Sequence, residues 1–428
     1  EGGNLEVDLS GLCEEDKIVL DRLGELGRAW IVGGWVRNLV SGMDKEEIDI
    51  ATDLRPKQVK IAFPRSIMVG EEYGTVIVRI EGEGRNEYQC EVTTIRKEGG
   101  YADGRRPDNV TFGSEIGEDL ARRDFTINAM AIEPIGELVG EGAPSGKLID
   151  LHGGFNDLES SLLRTVGNAE ERIGEDGLRI MRAFRFLDRG EEGLREMDLE
   201  LSRAISSNLE MLNNVSKERV WNELKRILSC SNSGKIINSM EEHGIFGMIL
   251  PDTSINTVAN HSEDHMVNLA LICSENESGD LLFAKKIADD LRLSRKESAT
   301  FCSLHQCRKL VLDPSVESVR RFVATNSTDQ RRKILDYKRG LGEDTNNFES
   351  ELKQNSQLRA GSGPLIDGIL LSKLTGLEGG KRLGRLKDWL HRIQVERDLN
   401  STDDVIALLD EVEWEDSDLE EWQGLSWP

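Results

Sequence analysis

No Cys-x-x-Cys pair occurs in the 428 residues, and the six cysteines (Cys13, Cys90, Cys230, Cys273, Cys302 and Cys307) are scattered along the chain. That spacing offers neither a disulfide framework nor a zinc ribbon, and a reducing interior is the natural setting. Also missing is any apolar run near the ~20 residues that a membrane helix needs. The acidic stretch 1–12 lacks the basic and apolar regions of a signal peptide, so a cytoplasmic protein is expected. Basic residues are in short supply, 54 Lys+Arg against 79 Asp+Glu, for a net charge of -25. Such a balance argues against indiscriminate electrostatic binding to nucleic acid and leaves room for a local basic groove. After Arg397 there is no Lys or Arg at all. The dense acidic run 410–421, with Trp414 inside it and Trp422 after it, is expected to be a solvated, partly ordered end.

The length exceeds what one compact core usually serves, and about two to four domains or layers are expected. Residues 14–26 carry helical spacing (Ile18, Leu20, Leu23, Leu26), and 29–32 reads as a short buried strand running into Gly33-Gly34. Residues 56–63 read as a helix, 75–80 and 89–95 as strands, and 99–107 as a loop rich in Gly and Arg. Strand signals nearly vanish after about residue 150. Amphipathic helices are predicted at 171–187, 217–228, 281–293 and 381–395. An α/β head thus precedes an all-helical remainder, and no internal repeat is evident.

The first segment that carries chemistry is Gly33-Gly34-Trp35-Val36-Arg37, followed by Glu47-Ile48-Asp49. Alternate strand residues share a face, so Glu47 and Asp49 can reach one divalent ion together. The diglycine lets backbone approach phosphate oxygens, the helix that follows presents free N–H groups, and Arg37 adds a cation about one turn in. An ordinary strand with an exposed acidic edge would carry the same residues. The second segment is Arg122-Arg123-Asp124-Phe125-Thr126-Ile127-Asn128. Guanidinium groups fork onto phosphate while Asp and Asn hydrogen-bond sugar hydroxyls, which suits a ribonucleoside triphosphate. A surface ion-pair cluster is the alternative for Arg-Arg-Asp alone.

In the third segment, Glu175-Asp176-Gly177-Leu178-Arg179-Ile180-Met181-Arg182, helical spacing lines Asp176, Arg179 and Arg182 along one face. An Asp acceptor beside an Arg donor fits cytosine and adenine, each of which offers an amino group next to a ring-nitrogen acceptor. Uracil and guanine present the opposite order and would meet mismatched groups. Such a pair selects C and A without a nucleic-acid template. A helix-surface ion pair would have the same spacing.

In order along the chain these segments, with Asp150-Leu151-His152-Gly153-Gly154-Phe155-Asn156-Asp157-Leu158 and Ser216-Lys217-Glu218-Arg219-Val220-Trp221-Asn222-Glu223, resemble the motifs of class II tRNA nucleotidyltransferases and the related bacterial poly(A) polymerases. The resemblance covers roughly residues 29–230. It implies a polymerase-β-like α/β nucleotidyltransferase head at 1–150, an all-α neck reading the base at 151–230, a helical body at 231–350 and a tRNA-binding tail at 351–428. It implies catalytic Glu47, Asp49 and Glu91, with Glu47 and Asp49 holding Mg²⁺. Substrate contacts would come from Gly33, Gly34, Arg37, Arg122, Asp124, Asn128, Asp176, Arg179 and Arg182. The implied reaction adds CMP, CMP and AMP from CTP and ATP to the tRNA 3′ end. Residues 96–106, similar to the family's flexible loop, would help switch the pocket from C to A.

Two residues depart from the family pattern, Glu47 and Asn38, where Asp is usual. An extra methylene at Glu47 shifts a ligand oxygen at a site where geometry matters. The stretch 64–73 lacks the arginine-rich block associated with bacterial poly(A) polymerases, which places an A-adding or poly(A)-adding enzyme second. A catalytically impaired RNA-binding paralogue is the reading from another class. His261 and His265 have zinc-like spacing but no convincing third ligand, and read as helix-surface residues. No His-Asp dipeptide occurs, so no accessory phosphohydrolase activity is expected. Lys373, Lys381, Arg382, Arg385, Lys387 and Arg392 form a basic island that would grip RNA phosphates or remain a solvated helix face.

Overall fold

The computed structural model describes residues 5–43, 47–69, 74–82, 87–99, 109–140, 142–259, 261–276, 281–361, 363–415 and 417–427. The chain divides into two compact units, Glu1–Pro251 and Asp252–Pro428.

The first unit opens with β1 (Glu6–Asp8), α1 (Glu14–Leu26), β2 (Ala29–Val32), α2 (Gly34–Val40), β3 (Asp49–Thr52) and α3 (Pro56–Ala62). Next come β4 (Ile67–Val69), β5 (Thr75–Glu81), β6 (Glu87–Thr94), β7 (Arg96–Gly99), β8 (Asn109–Phe112), α4 (Ile116–Ala121), β9 (Met130–Ile135) and β10 (Ser145–Asp150). Among the described residues one mixed sheet of eight strands forms, in the order β1-β10-β9-β2-β3-β6-β5-β4. A reciprocal cap starts α1, in which the Cys13 side chain accepts from Asp16 N and the Asp16 carboxylate accepts from Cys13 N. Three acidic residues in that first turn suit the positive end of the helix.

Strand alternation gives the sheet two working faces. Ile31, Ile50, Val76, Val78 and Val92 join Val19, Leu20 and Leu23 of α1 and Val59 of α3 in the main core. On the opposite face Trp30, Val32, Ala51 and Ala131 pack with Ile116 and Leu120 of α4. Asp49 alternates with Ile50, and therefore projects on the α4 side at the mouth of the sheet. The strands β7 and β8 pair antiparallel from Arg96↔Phe112 to Gly99↔Asn109. Most of the Gly- and Arg-rich loop that resembles the family's flexible segment lies outside the described residues.

The helical part of this unit runs through α5 (Gly154–Glu159), β11 (Leu162–Leu163), α6 (Ala169–Glu175), α7 (Leu178–Phe186), β12 (Glu196–Met197), α8 (Leu199–Ser207), α9 (Lys217–Leu228), α10 (Ser233–Glu242) and α11 (Ile245–Ile249). The motif at 150–158 forms its entrance. The Asp150 carboxylate accepts from the backbone N–H groups of His152, Gly154 and Phe155, and Asp157 accepts from Thr126 and Arg164. The single helix predicted over 171–187 is two. Asp176 is extended (φ -149, ψ 111), and its side chain accepts from Leu178 N, a local bond that competes with helix. Gly177 passes so close to another backbone that a Cβ would lie 2.3 Å from Met211 O, which no larger residue permits.

The second unit contains α12 (His265–Ile272), α13 (Leu281–Asp290), α14 (Arg295–Gln306), α15 (Val316–Thr325), α16 (Thr328–Gly340), α17 (Asn346–Gln354), α18 (Gly368–Thr375), α19 (Lys381–Arg397) and α20 (Thr402–Glu411). His261 precedes α12 instead of sharing its surface, and burial pushes its imidazole down to about 4. The helix-surface expectation for the pair is therefore corrected at His261. The C-terminal end also differs from expectation. Trp422 is 0% exposed within a core formed by Leu371, Leu386, Leu390, Val405 and Leu408, and stacks on Trp389 with ring centroids 5.7 Å apart. Hydropathy averaging over the acidic run hides two tryptophans large enough to dock it. Arg382 of the basic island donates to Trp414 O and Glu415 O and lies over the Trp422 ring. Arg392 bonds Glu396 and Gln423, so these two members of the island hold the tail in place. No helix among the described residues is long and apolar enough to cross a membrane.

Candidate active site

The strand-to-helix corner forms where β2 ends. Gly33 takes φ +76, and a Cβ there would lie 2.9 Å from an Asp49 carboxylate oxygen and 3.7 Å from Arg123 Nη1. Any other residue would strain the backbone and push the carboxylate away. In the register Val32 faces Asp49 on one side of β3, and Asp49 faces Glu91 across the parallel β3–β6 pair on the other. Side chains at paired positions leave a sheet on the same face, and Glu47, Asp49 and Glu91 are all exposed. The α2 helix has seven residues, with Arg37 on its fourth.

Arg37 is the first link of a polar chain across the cleft. Its Nε and Nη2 both donate to Asn38 Oδ1, at 3.1 and 2.9 Å, and its Nη1 donates to Asn128 Oδ1 at 2.8 Å. The neutral amide at position 38 thus keeps the orienting role that a carboxylate would have, without neutralising the guanidinium. Asn128 Nδ2 donates to Asp124 Oδ1 at 3.3 Å, and Asp124 Oδ2 takes Arg182 Nε at 2.6 Å. Burial alone would push the Asp124 carboxyl up, but Arg182, the Phe125 N–H and Asn128 outweigh it and hold the group below its usual value. Arg182 and Arg185 of α7 and Arg226 of α9 gather around the buried Glu223, at 3.9, 2.8 and 3.7 Å.

Both members of the arginine pair are anchored from behind. Asp119 on α4, 1% exposed, bonds Arg122 through one carboxylate oxygen and Arg123 through the other, the latter at 2.9 Å. Burial raises the Asp119 carboxyl, and the charges of Arg123 and Arg122 more than reverse that, leaving it below its ordinary value. At the far end Asp176 Oδ2 accepts from Arg219 Nη2 of α9 at 2.8 Å. Arg179 pairs with Glu175 and donates to Arg172 O and Arg122 O, so it is partnered with the preceding turn and not with Asp176.

Together Gly33, Gly34, Arg37, Asp49, Arg122, Asp124, Asn128, Asp176, Arg179 and Arg182 line one cleft of about 540 Å³. Glu47, two residues before β3, and Glu91, opposite Asp49 on β6, stand outside that lining. Arg123 joins Arg122 in the lining, while Asp119, Arg219 and Glu223 carry geometry that the sequence did not single out. The signal for Asp119 was its position three and four residues before the two arginines. For Arg219 and Glu223 it was an i,i+4 pair of opposite charge inside a quoted motif.

Among the described residues no three His, Cys, Asp or Glu side chains converge to hold a metal. Magnesium does not need such a cage, because it is usually held by one or two carboxylates, several waters and substrate phosphates. The sequence expectation of two carboxylates on one strand face is corrected at Glu47, which lies two residues before β3; it and Asp49 are both exposed hard ligands beside a cluster of arginines, which suits that mode.

A diglycine corner, the facing Asp49 and Glu91 and an arginine-rich cleft join a mixed-sheet head to a helical neck. Residues 29–164 match the family described as "Poly A polymerase head domain", and residues 196–255 match "Probable RNA and SrmB- binding site of polymerase A". A CCA-adding enzyme of Bacillus licheniformis is 39% identical over 223 residues, 51% of each chain. The chain thus spans about half the length of that relative, and one from Lactobacillus gasseri matches similarly, 41% identical over 53% of each chain. The CCA-adding enzyme of Limosilactobacillus reuteri aligns at 29% identity over 95% of this chain and 97% of its own. In fold, the chain is similar to the crystal structure of the Bacillus stearothermophilus CCA-adding enzyme in complex with CTP (TM-score 0.75, 24% identity, 93% and 96% of the two chains). Residues 29–164 and 196–255 are thus similar to the head and RNA-binding parts of poly(A) polymerases, and much of the chain is similar to CCA-adding enzymes.

Proposed function

We propose that this protein is a template-independent tRNA nucleotidyltransferase that adds CMP, CMP and AMP to the 3′ end of tRNA from CTP and ATP. Magnesium would be its metal and the cytoplasm its compartment. The observation that carries the reading is the joining, in one cleft, of the Gly33–Asp49 corner with the Arg37-Asn128-Asp124-Arg182 chain and with Asp176. Each part serves a different portion of a nucleoside triphosphate.

Arg37, Arg122 and Arg123 present guanidinium groups to the triphosphate, oriented by Asn38 and Asp119. Asp124 and Asn128 offer acceptor and donor atoms to the ribose hydroxyls. Magnesium held by Glu47 and Asp49, with Glu91 beside them, would supply charge neutralisation at the α-phosphate and the departing pyrophosphate. The RNA 3′-hydroxyl oxygen attacks the α-phosphorus in line, and the bond to the bridging oxygen of pyrophosphate breaks. Asp176 has used two of its roughly four lone-pair positions, on Arg219 and Leu178 N, and keeps the others for the amino group of cytosine or adenine. Arg179 retains unused N–H donors for the neighbouring ring nitrogen.

Incubation with tRNA lacking its 3′ end, Mg²⁺ and one labelled nucleotide at a time tests this. Incorporation from CTP and, after C addition, from ATP, with none from UTP or GTP, is expected. Retained tRNA binding without incorporation would instead mark a catalytically impaired RNA-binding paralogue.

A further inference from the structure

Phe186 closes α7 on the wall of the cleft, 9% exposed, and three guanidinium groups surround its ring. The Arg185 guanidinium carbon lies 4.2 Å from the ring centroid, that of Arg182 5.2 Å and that of Arg37 5.3 Å. All fall within the ~6 Å at which the negative face of an aromatic ring attracts a cation. Phe125, next to Asp124, meets the same ring edge-on at 5.7 Å and 69°.

These cations come from separate parts of the cleft. Arg37 belongs to α2 and bonds two neutral carboxamides, whereas Arg182 and Arg185 belong to α7 and share Glu223. Three positive groups brought this close repel one another. Burial, with Arg182 and Arg226 adding to it and Glu223 opposing, pushes Arg185 down to about 10. The Phe186 ring offsets that repulsion without contributing a carboxylate that would compete with substrate phosphate. Aliphatic side chains could fill the same volume but have no quadrupole.

We propose that Phe186 is a positioning residue for the incoming nucleoside triphosphate, its ring holding Arg37 in register with Arg182 and Arg185 so that the triphosphate and ribose ends of the cleft are set together. This rests on the nucleotidyltransferase reading above. Arg37 and Arg182 bond Asn128 and Asp124, whereas Asp176 bonds Arg219, so loss of the array is expected to weaken all accepted nucleotides alike.

The test compares Phe186→Leu and Phe186→Met, which keep apolar volume, with Phe186→Tyr, which keeps the ring. Calorimetric CTP and ATP binding is measured beside steady-state addition to truncated tRNA. Expected for Leu and Met is about a tenfold rise in Kd and KM for CTP and ATP, the scale of a few ring–cation contacts. Turnover should stay within about twofold, the CTP-over-UTP preference should be unchanged, and Tyr should restore native values. Native-like Kd in Leu and Met would overturn the proposal, as would a fall in turnover at unchanged KM or a failure of Tyr to rescue. If the native protein binds CTP but adds nothing to tRNA, the enzymatic reading fails while the binding comparison still decides the role of Phe186. If the native protein binds neither nucleotide, both fail.

Discussion

Arg37 Nη1 donates to Asn128 Oδ1 at 2.8 Å, joining two motifs 91 residues apart. Through this bond the diglycine corner and the Arg-Arg-Asp segment become one surface, with Asn38 setting the guanidinium plane from the other side. Arg37→Lys keeps the charge but loses the fork, since an ammonium group cannot hold two partners in one plane. The expected result is about a tenfold rise in KM for both CTP and ATP, read by steady-state kinetics. An unchanged KM would mean that Arg37 has no part in holding the triphosphate.

Asp49 at the start of β3 and Glu47 just before it carry the metal claim. Asp49→Asn should reduce nucleotide addition by about 10³-fold, the scale of removing a principal electrostatic stabiliser of the transition state, while CTP binding without metal is preserved. Glu47→Asp restores the family's usual residue and should keep or raise turnover. A large loss in Glu47→Asp would show that the pair has been assigned to the wrong residues.

Asp119 supports two arginines from a buried position. Asp119→Ala should destabilise the first unit by about 2–3 kcal/mol, less than a fully enclosed pair because both guanidiniums keep contact with solvent. The carboxyl titrates below its unfolded value, so its contribution is fully present above pH ~3.9 and is lost as pH falls through the lower folded value. Urea unfolding of native and variant proteins should give a constant gap between about pH 5 and 7 that narrows below about pH 4. A gap that widens on acidification contradicts the assignment.

Asp176 is held by Arg219 and by Leu178 N at the break between α6 and α7. Its replacement by Ala should lower the preference for CTP over UTP by about 10- to 100-fold, the worth of one base-edge contact at ~1–3 kcal/mol. Selectivity is read as the ratio of kcat/KM values. An unchanged ratio would remove Asp176 from base reading.

Much of this arrangement was legible in the chain because it is local. The corner at Gly33, the carboxylates at 47 and 49 and the segment after Arg122 each lie within about a dozen residues, where periodicity and residue chemistry decide the outcome. What escaped is non-local. The spacing of Asp176 and Arg179 suggested a side-by-side pair, yet Asp176 reaches across 43 positions to Arg219 and Arg179 turns back to Glu175. A continuous helix over that segment fails because Gly177 abuts the Met211 carbonyl, a contact invisible in local propensity. The acidic end was read as solvated because charge dominates its composition. Trp422 docks it against Trp389 all the same.

The most direct measurement is sequencing of the 3′ ends formed on tRNA that lacks its terminal C, C and A, in the presence of CTP, ATP, UTP, GTP and Mg²⁺ together. The account predicts products extended by C-C-A and then no further. Long runs of A would make the protein a poly(A)-adding member of its family, and unextended ends would contradict the assignment of Glu47 and Asp49 to an active site.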